Sequence, residues 1–326
     1  MSKPNDDPLA IFGHVWGASG VQGFFGEGYW YQKLFACTIP GYSFRGVTFV
    51  AKTVTANPTA GNMPLTEDGI SPMHMRPDCI KIGLWQLLLG VMLNAVGLSN
   101  IGINALVDKG IWQTITEPFM ISVMAVGATR RDRKMEMRMI ARSLRELIPK
   151  LQAPIAIQLN LSCPNTAHRA TRRELVEETL VHLAILSKLG VPRVVKINVL
   201  ADIEDMKRVA DHPACSGIVV SNTLPWNAVP TWMRYLFFGS DTSPLAHLGG
   251  GGLSGWPLRS RVCRWIRDAR SIGIRKHISA GGGILGPFGA WSVWKAGADS
   301  ISLGSIAAIR PWMLGPTVRF AHRLFR

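Results

Sequence analysis

The chain has 326 residues, 47% of them hydrophobic, and a formal charge of +15 from 36 Lys and Arg against 21 Asp and Glu. That length suits one large barrel or two ordinary domains, and the scattered glycines and prolines exclude a repeat or low-complexity architecture. The five cysteines are odd in number and far apart, which excludes a disulfide framework and any CxxC zinc spacing, while the positive field favours anionic partners: a small acid, a phosphate-bearing cofactor, nucleic acid or an anionic membrane.

The first residues, MSKPNDDPLAIFG, hold no apolar core, so a secretory leader is not expected. The first strand is predicted over Gly46–Thr53. The stretch Ile82–Val107 carries no charge and has the length of a membrane span. Gln86, Asn94, Ser99, Asn100 and Asn104, with breaks at Gly90, Gly97 and Gly102, favour instead a buried strand (Leu87–Leu93) and a polar loop. Further strands are predicted over Phe119–Val126, Pro154–Leu161, Arg193–Asn198, Gly217–Ser221, His277–Ala280 and Ser300–Leu303. They are rich in Val and Ile and mostly lack a polar face, as strands covered on both sides should.

Helices fall between them. Asp132–Pro149 carries one apolar stripe, from Met135 and Met139 to Leu147 and Ile148. Arg172–Leu189 carries another, with Thr171 and Glu174 as a capping-box pair. Trp256–Ser271 and Pro287–Ala296 are further helices. In the tail Arg310–Arg326, the residues Leu314, Val318, Ala321 and Phe325 share a side, so a last helix closing the structure is expected. Eight strands interleaved with helices predict a single-domain (β/α)₈ TIM barrel over residues 1–326, with a doubly wound sheet as the alternative. In such a barrel, chemistry sits where strands end.

The strand ends are unusual. One reads Asn160-Leu161-Ser162-Cys163-Pro164-Asn165: the proline fixes the direction of Cys163, and the asparagines offer donors and acceptors to a planar, amide-edged ligand. Lys52 and Lys196 lie inside apolar strands, where an ammonium is costly unless an anion meets it. Ser221-Asn222-Thr223 ends another strand. Gly249–Gly252, Gly255 and Gly281–Gly283, with Gly304-Ser305, let backbone N–H groups approach a phosphate.

Together these stretches resemble the dihydroorotate dehydrogenases, FMN-containing (β/α)₈ enzymes of pyrimidine synthesis. NLSCPN (160–165), LNAVGLSN (93–100), Ser221-Asn222-Thr223, GGLSG (251–255), Ala18-Ser19-Gly20, Lys52-Thr53 and GGGI…GS carry the similarity, from about Gly17 to Ile306. The resemblance implies Cys163 as the catalytic base, Cys rather than Ser marking the cytosolic type, with Lys52 and Lys196 also in the catalytic set. It implies substrate contacts from Lys52, Asn94, Gly97, Leu98, Asn160, Asn165, Asn222 and Thr223. It implies FMN, at the C-terminal face of the strands, held by Ala18, Ser19, Lys52, Thr53, Asn160, Lys196, Ser221, Gly255, Gly282, Gly283, Gly304 and Ser305. No metal is expected. Segment Trp226–His247 matches no part of the family pattern, and the loop Thr166–Thr171 is short and basic.

The expected reaction is oxidation of dihydroorotate to orotate, with electrons passing to a fumarate-like acid or a flavoprotein partner. A homodimer, a cytoplasmic location, no nucleic acid, and membrane contact that is weak at most complete the expectation. The rival readings are a dihydropyrimidine dehydrogenase-like enzyme, a tRNA-dihydrouridine synthase-like enzyme and a non-catalytic flavin-binding barrel.

Overall fold

The computed structural model describes residues 7–161 and 172–326. Its strands are β1 (Val15–Gly17), β2 (Ile80–Lys81), β3 (Val91–Asn94), β4 (Phe119–Val123), β5 (Ile155–Asn160), β6 (Arg193–Ile197), β7 (Gly217–Val220), β8 (Leu224–Pro225), β9 (Gly252–Gly255), β10 (His277–Gly281) and β11 (Ser300–Leu303). Its α-helices are α1 (Trp30–Thr38), α2 (Leu84–Leu89), α3 (Ile103–Asp108), α4 (Arg130–Leu147), α5 (Arg172–Leu186), α6 (Ile203–Asp211), α7 (Thr231–Phe238), α8 (Pro257–Ser271), α9 (Pro287–Lys295), α10 (Ile306–Ile309) and α11 (Pro311–Leu324).

Seven strands form a parallel sheet in the order β1-β11-β10-β7-β6-β5-β4. Segment 48–54 joins its two ends. Thr48 exchanges backbone hydrogen bonds with the β1 side, 2.8 Å to Val15 and 2.9 Å from Gly17, and Ala51 and Phe49 pair with Met120 of β4 at 2.8 and 2.9 Å. This irregular eighth stave closes the TIM barrel.

Polarity rises along the interior. At one end Trp16, Val50, Met120, Ala156, Val194 and Val219, one from each of six staves, pack into a single apolar cluster with Leu9 and Phe12. Two residues further along β4 and β5, the inward alternation brings Ser122 and Gln158, and then Asn160; on β6 it brings Lys196. The apolar plug leaves the polar chemistry at the C-terminal ends. There a second, antiparallel sheet, β2-β3-β9-β8, adds the loops around Asn94 and Gly255.

Helices pack outside. Thr129 caps α4: its Oγ1 accepts from Asp132 N at 3.1 Å, and Asp132 Oδ2 accepts from Thr129 N at 3.0 Å. Arg133 of α4 donates from Nε and Nη2 to the Glu178 carboxylate of α5, both at 2.7 Å. The tail helix α11 buries Leu314, Val318 and Ala321 and packs against α9.

Two sequence expectations change. Leu87–Leu93 is not a barrel strand: Leu84–Leu89 forms α2, Gly90 turns the chain at φ 67°, and Val91–Asn94 joins the small antiparallel sheet. An all-apolar run has no period to separate helix from strand, and here Gln86 decides it, accepting from Gly83 N at 3.0 Å to start the helix. The first barrel strand is β1, whose three residues are too short to stand out. The predicted capping pair Thr171–Glu174 lies partly outside the described residues.

Candidate active site

A cavity of about 930 Å³ opens at the C-terminal ends of the barrel strands. All of the predicted site residues that are described line it. The loop after β1 contributes Ala18 and Ser19, and the irregular stave contributes Lys52 and Thr53. Asn94, Gly97 and Leu98 come from β3 and the turn beyond it, Asn160 from β5 and Lys196 from β6. Ser221, Asn222 and Thr223 follow β7, Gly255 ends β9 of the small sheet, and Gly282, Gly283, Gly304 and Ser305 follow β10 and β11. Cys163 and Asn165 lie outside the described residues.

Thr53 is the hub of the polar floor. Its Oγ1 lies 3.0 Å from Ser19 Oγ and 2.9 Å from Ser122 Oγ, and it accepts from Asn160 Nδ2 at 3.2 Å. Asn222 Nδ2 donates to Asn160 Oδ1 at 2.9 Å. The Asn160 carboxamide is therefore held at both ends, which fixes which way its donor and acceptor face. Lys196 sits directly opposite Asn160 in the β5–β6 register.

Lys52 is 7% exposed, with Nζ donating to Ser99 O at 2.7 Å and lying 4.8 Å from the centre of the Phe24 ring. Burial lowers its pKa to about 8, against weaker opposing effects of Cys79 and Glu27. One carbonyl and one ring face do not neutralise an ammonium, so the cavity beside it suits an anion. Asp78 is the only carboxylate among the described lining residues, and it lies at the rim, 3.8 Å from Lys81 Nζ.

The glycines are spatially required. At Gly283 (φ 79°) a Cβ would stand 2.6 Å from Arg259 N, and at Gly255 (φ 119°) 2.2 Å from Gly90 O. At Gly304 it would stand 3.0 Å from Ala18 Cβ. Side-chain-free backbone after β10 and β11 thus faces a cavity with two lysines and a hydrogen-bonding floor. This donor set fits FMN: the glycine loops and Ser305 for its phosphate, Ser19, Thr53, Asn160 and Lys196 for its ring.

Sequence reasoning missed Ser99 and Phe24, which hold Lys52, and Ser122, which completes the Thr53 hub. It also missed Ser254 and Ser302 among the lining residues. Inward alternation along β4 and β11 is the signal that finds Ser122 and Ser302. Ser99 contributes a backbone carbonyl, which no residue type announces.

The dihydroorotate dehydrogenase family model matches residues 76–315. The chain belongs to this family. Among its relatives, the catalytic subunit of dihydroorotate dehydrogenase B (NAD(+)) from Endomicrobium trichonymphae is 28% identical over 294 residues, covering 89% of this chain and 82% of the relative. Dihydroorotate dehydrogenase A (fumarate) from Lactiplantibacillus plantarum is 27% identical over 261 residues, 78% of this chain and 74% of the relative. In structure, the chain is similar to DHODH from Eimeria tenella in complex with ferulenol, with a TM-score of 0.65 at 19% identity over 99% of this chain and 85% of that one. That likeness supports the barrel alone. Like the rest of its family, the protein is an FMN-dependent oxidoreductase.

Proposed function

We propose that this dihydroorotate dehydrogenase family member oxidises dihydroorotate to orotate with the residues of the 930 Å³ cavity. The observation that carries the reading is the convergence there of Lys52, Lys196, Asn94, Asn160 and Asn222 from separate elements, with Asp78 at the rim the one carboxylate among the described lining residues. Lys52 holds the substrate carboxylate, exchanging a poorly compensated buried ammonium for a charge-assisted pair. Asn94, Asn160, Asn165 and Asn222, with Thr223 and the Gly97–Leu98 turn, meet the amide edges of the pyrimidine ring. The C5 proton leaves to the sulfur of Cys163, the base that the family resemblance implies. The chemistry that FMN supplies when bound is acceptance of the hydride from C6. Lys196 places a positive charge where negative charge gathers during that transfer.

The family match gives the dihydropyrimidine dehydrogenase, tRNA-dihydrouridine synthase and non-catalytic readings no support. We infer further that residues 1–326 work as one barrel, dimeric and cytoplasmic, with the tail helix as part of it. The electrons leave to a fumarate-like acid or to a flavoprotein partner. Among the described residues no helix is long and apolar enough to cross a membrane.

The test is the visible spectrum of the purified protein under anaerobic conditions. Dihydroorotate is expected to bleach the flavin bands, dihydrouracil to leave them, and Cys163→Ala to stop the bleaching. A bound flavin that ignores dihydroorotate would sink the assigned substrate. Reoxidation of the bleached protein by fumarate would select the acid over a partner as acceptor.

A further inference from the structure

We propose that the face formed by α2 and α7 docks this protein onto an anionic lipid surface, with the mouth of the cavity turned towards it. The two helices are seated on each other through their polar atoms. Trp85 Nε1 donates to Leu236 O at 2.9 Å, and Gln86 Nε2 donates to Phe237 O at 2.6 Å. What remains outside is apolar: Leu84 is 76% exposed, Leu88 64%, Trp232 60% and Trp85 53%, with Tyr235 and Leu236 beside them. Single exposed apolar side chains are ordinary, but six on two adjoining helices make a patch that water alone covers poorly.

The patch runs into an aromatic, basic rim. Phe237 meets the exposed Trp256 edge-on, ring centres 6.1 Å apart. Arg310 donates to Leu88 O at 3.3 Å and stands 5.8 Å over Trp312. Arg259 stands 4.9 Å over Phe288, itself exposed. Neither Leu84–Leu89 nor Thr231–Phe238 contains an acid, and their one cation, Arg234, is neutralised by Asp241 at 2.9 Å.

This combination selects the occupant. A second copy would set one +15 molecule, basic rim and all, against another. An anionic bilayer matches every part: leucines below the headgroups, Trp and Tyr at their level, and arginines at the phosphates. Ile82 and Leu84 also line the cavity, as do Trp30 and Met75, which are joined by a 2.9 Å bond from Trp30 Nε1 to Met75 O. Docking on this face therefore brings the cavity mouth to the lipid. It does not depend on the reaction assigned to the cavity.

The experiment is flotation of the full-length holoprotein with phosphatidylglycerol–phosphatidylcholine vesicles and with phosphatidylcholine vesicles. The wild type is expected to float with the anionic vesicles at low salt and less at high salt. Leu88→Glu with Trp232→Glu is expected to lower that partitioning at least about tenfold, with thermal midpoint and flavin content retained. If the double variant does not fold, the milder Leu88→Gln takes its place with a smaller loss. A wild type that stays unbound at low salt, or a folded variant that floats equally well, overturns the proposal. So does a dimer dispersed by the same substitutions in a protein that ignores vesicles, since the face would then join two copies.

Discussion

Lys52 makes the sharpest residue-scale prediction. Binding a carboxylate requires its ammonium form, and burial brings its pKa in the free protein down to about 8. Below that pH the charge is present and orotate affinity should be flat. Above it each further unit adds the cost of protonating the amine, so affinity should fall about tenfold per unit. Lys52→Met should weaken binding on the order of a hundredfold and remove the pH dependence. Titrating orotate against the flavin spectrum from about pH 7 to about pH 9.5 checks both, and a flat wild-type profile would contradict the role given to Lys52. Gly283 offers a second prediction. A methyl there meets the backbone N of Arg259 at 2.6 Å, a rigid neighbour, and the φ of 79° is itself unfavourable for alanine. Gly283→Ala should cost roughly 1–3 kcal/mol of stability and lower FMN content, read by thermal midpoint and by the ratio of flavin to protein absorbance.

At the scale of elements, legibility followed burial and period. The strands β5, β6 and β7 were readable as Val- and Ile-rich runs, β10 and β11 as short buried stretches between helices, and α4, α8 and α9 because a stripe or a flanking proline marks them, although in α4 the stripe is buried at Ile140, Leu144 and Leu147 and exposed at Met135 and Met139. The site was readable for a related reason, since lysines and asparagines stand out at the ends of apolar strands, where burying them is costly. Hidden were β1, too short to carry a pattern, and α2, whose leucines are apolar on the exposed side as well. The Arg133–Glu178 pair was also illegible, because the partners lie 45 positions apart on separate helices. Their side chains are only 9% and 11% exposed. Glu178→Ala takes the bidentate carboxylate from a buried guanidinium and should cost about 3–5 kcal/mol, whereas Arg133→Met with Glu178→Leu should cost clearly less. Denaturant midpoints of the three proteins separate the two cases, and equal losses would mean that the pair's charges are not what matters.

For the whole molecule, closure ties the two ends of the chain together. β1 pairs with β11, segment 48–54 bridges β1 to β4, and Leu9 and Phe12 plug the apolar end of the same barrel. No stave can leave without opening the polar end where the cavity lies, so folding and cofactor binding should be coupled. Calorimetry should then show one transition for residues 1–326. FMN at a hundredfold excess over its dissociation constant should add about 2.7 kcal/mol and raise the midpoint by several degrees. Orotate should raise it again at neutral pH, and by less above about pH 8, where Lys52 loses the proton that the carboxylate needs. The sign is fixed by linkage: a ligand stabilises in proportion to its affinity for the folded state, and that affinity declines as the ammonium titrates. Two separable transitions, with FMN moving only one, would mean that the barrel is not a single cooperative unit. An orotate shift that persisted undiminished at high pH would instead leave the barrel intact and move the carboxylate away from Lys52.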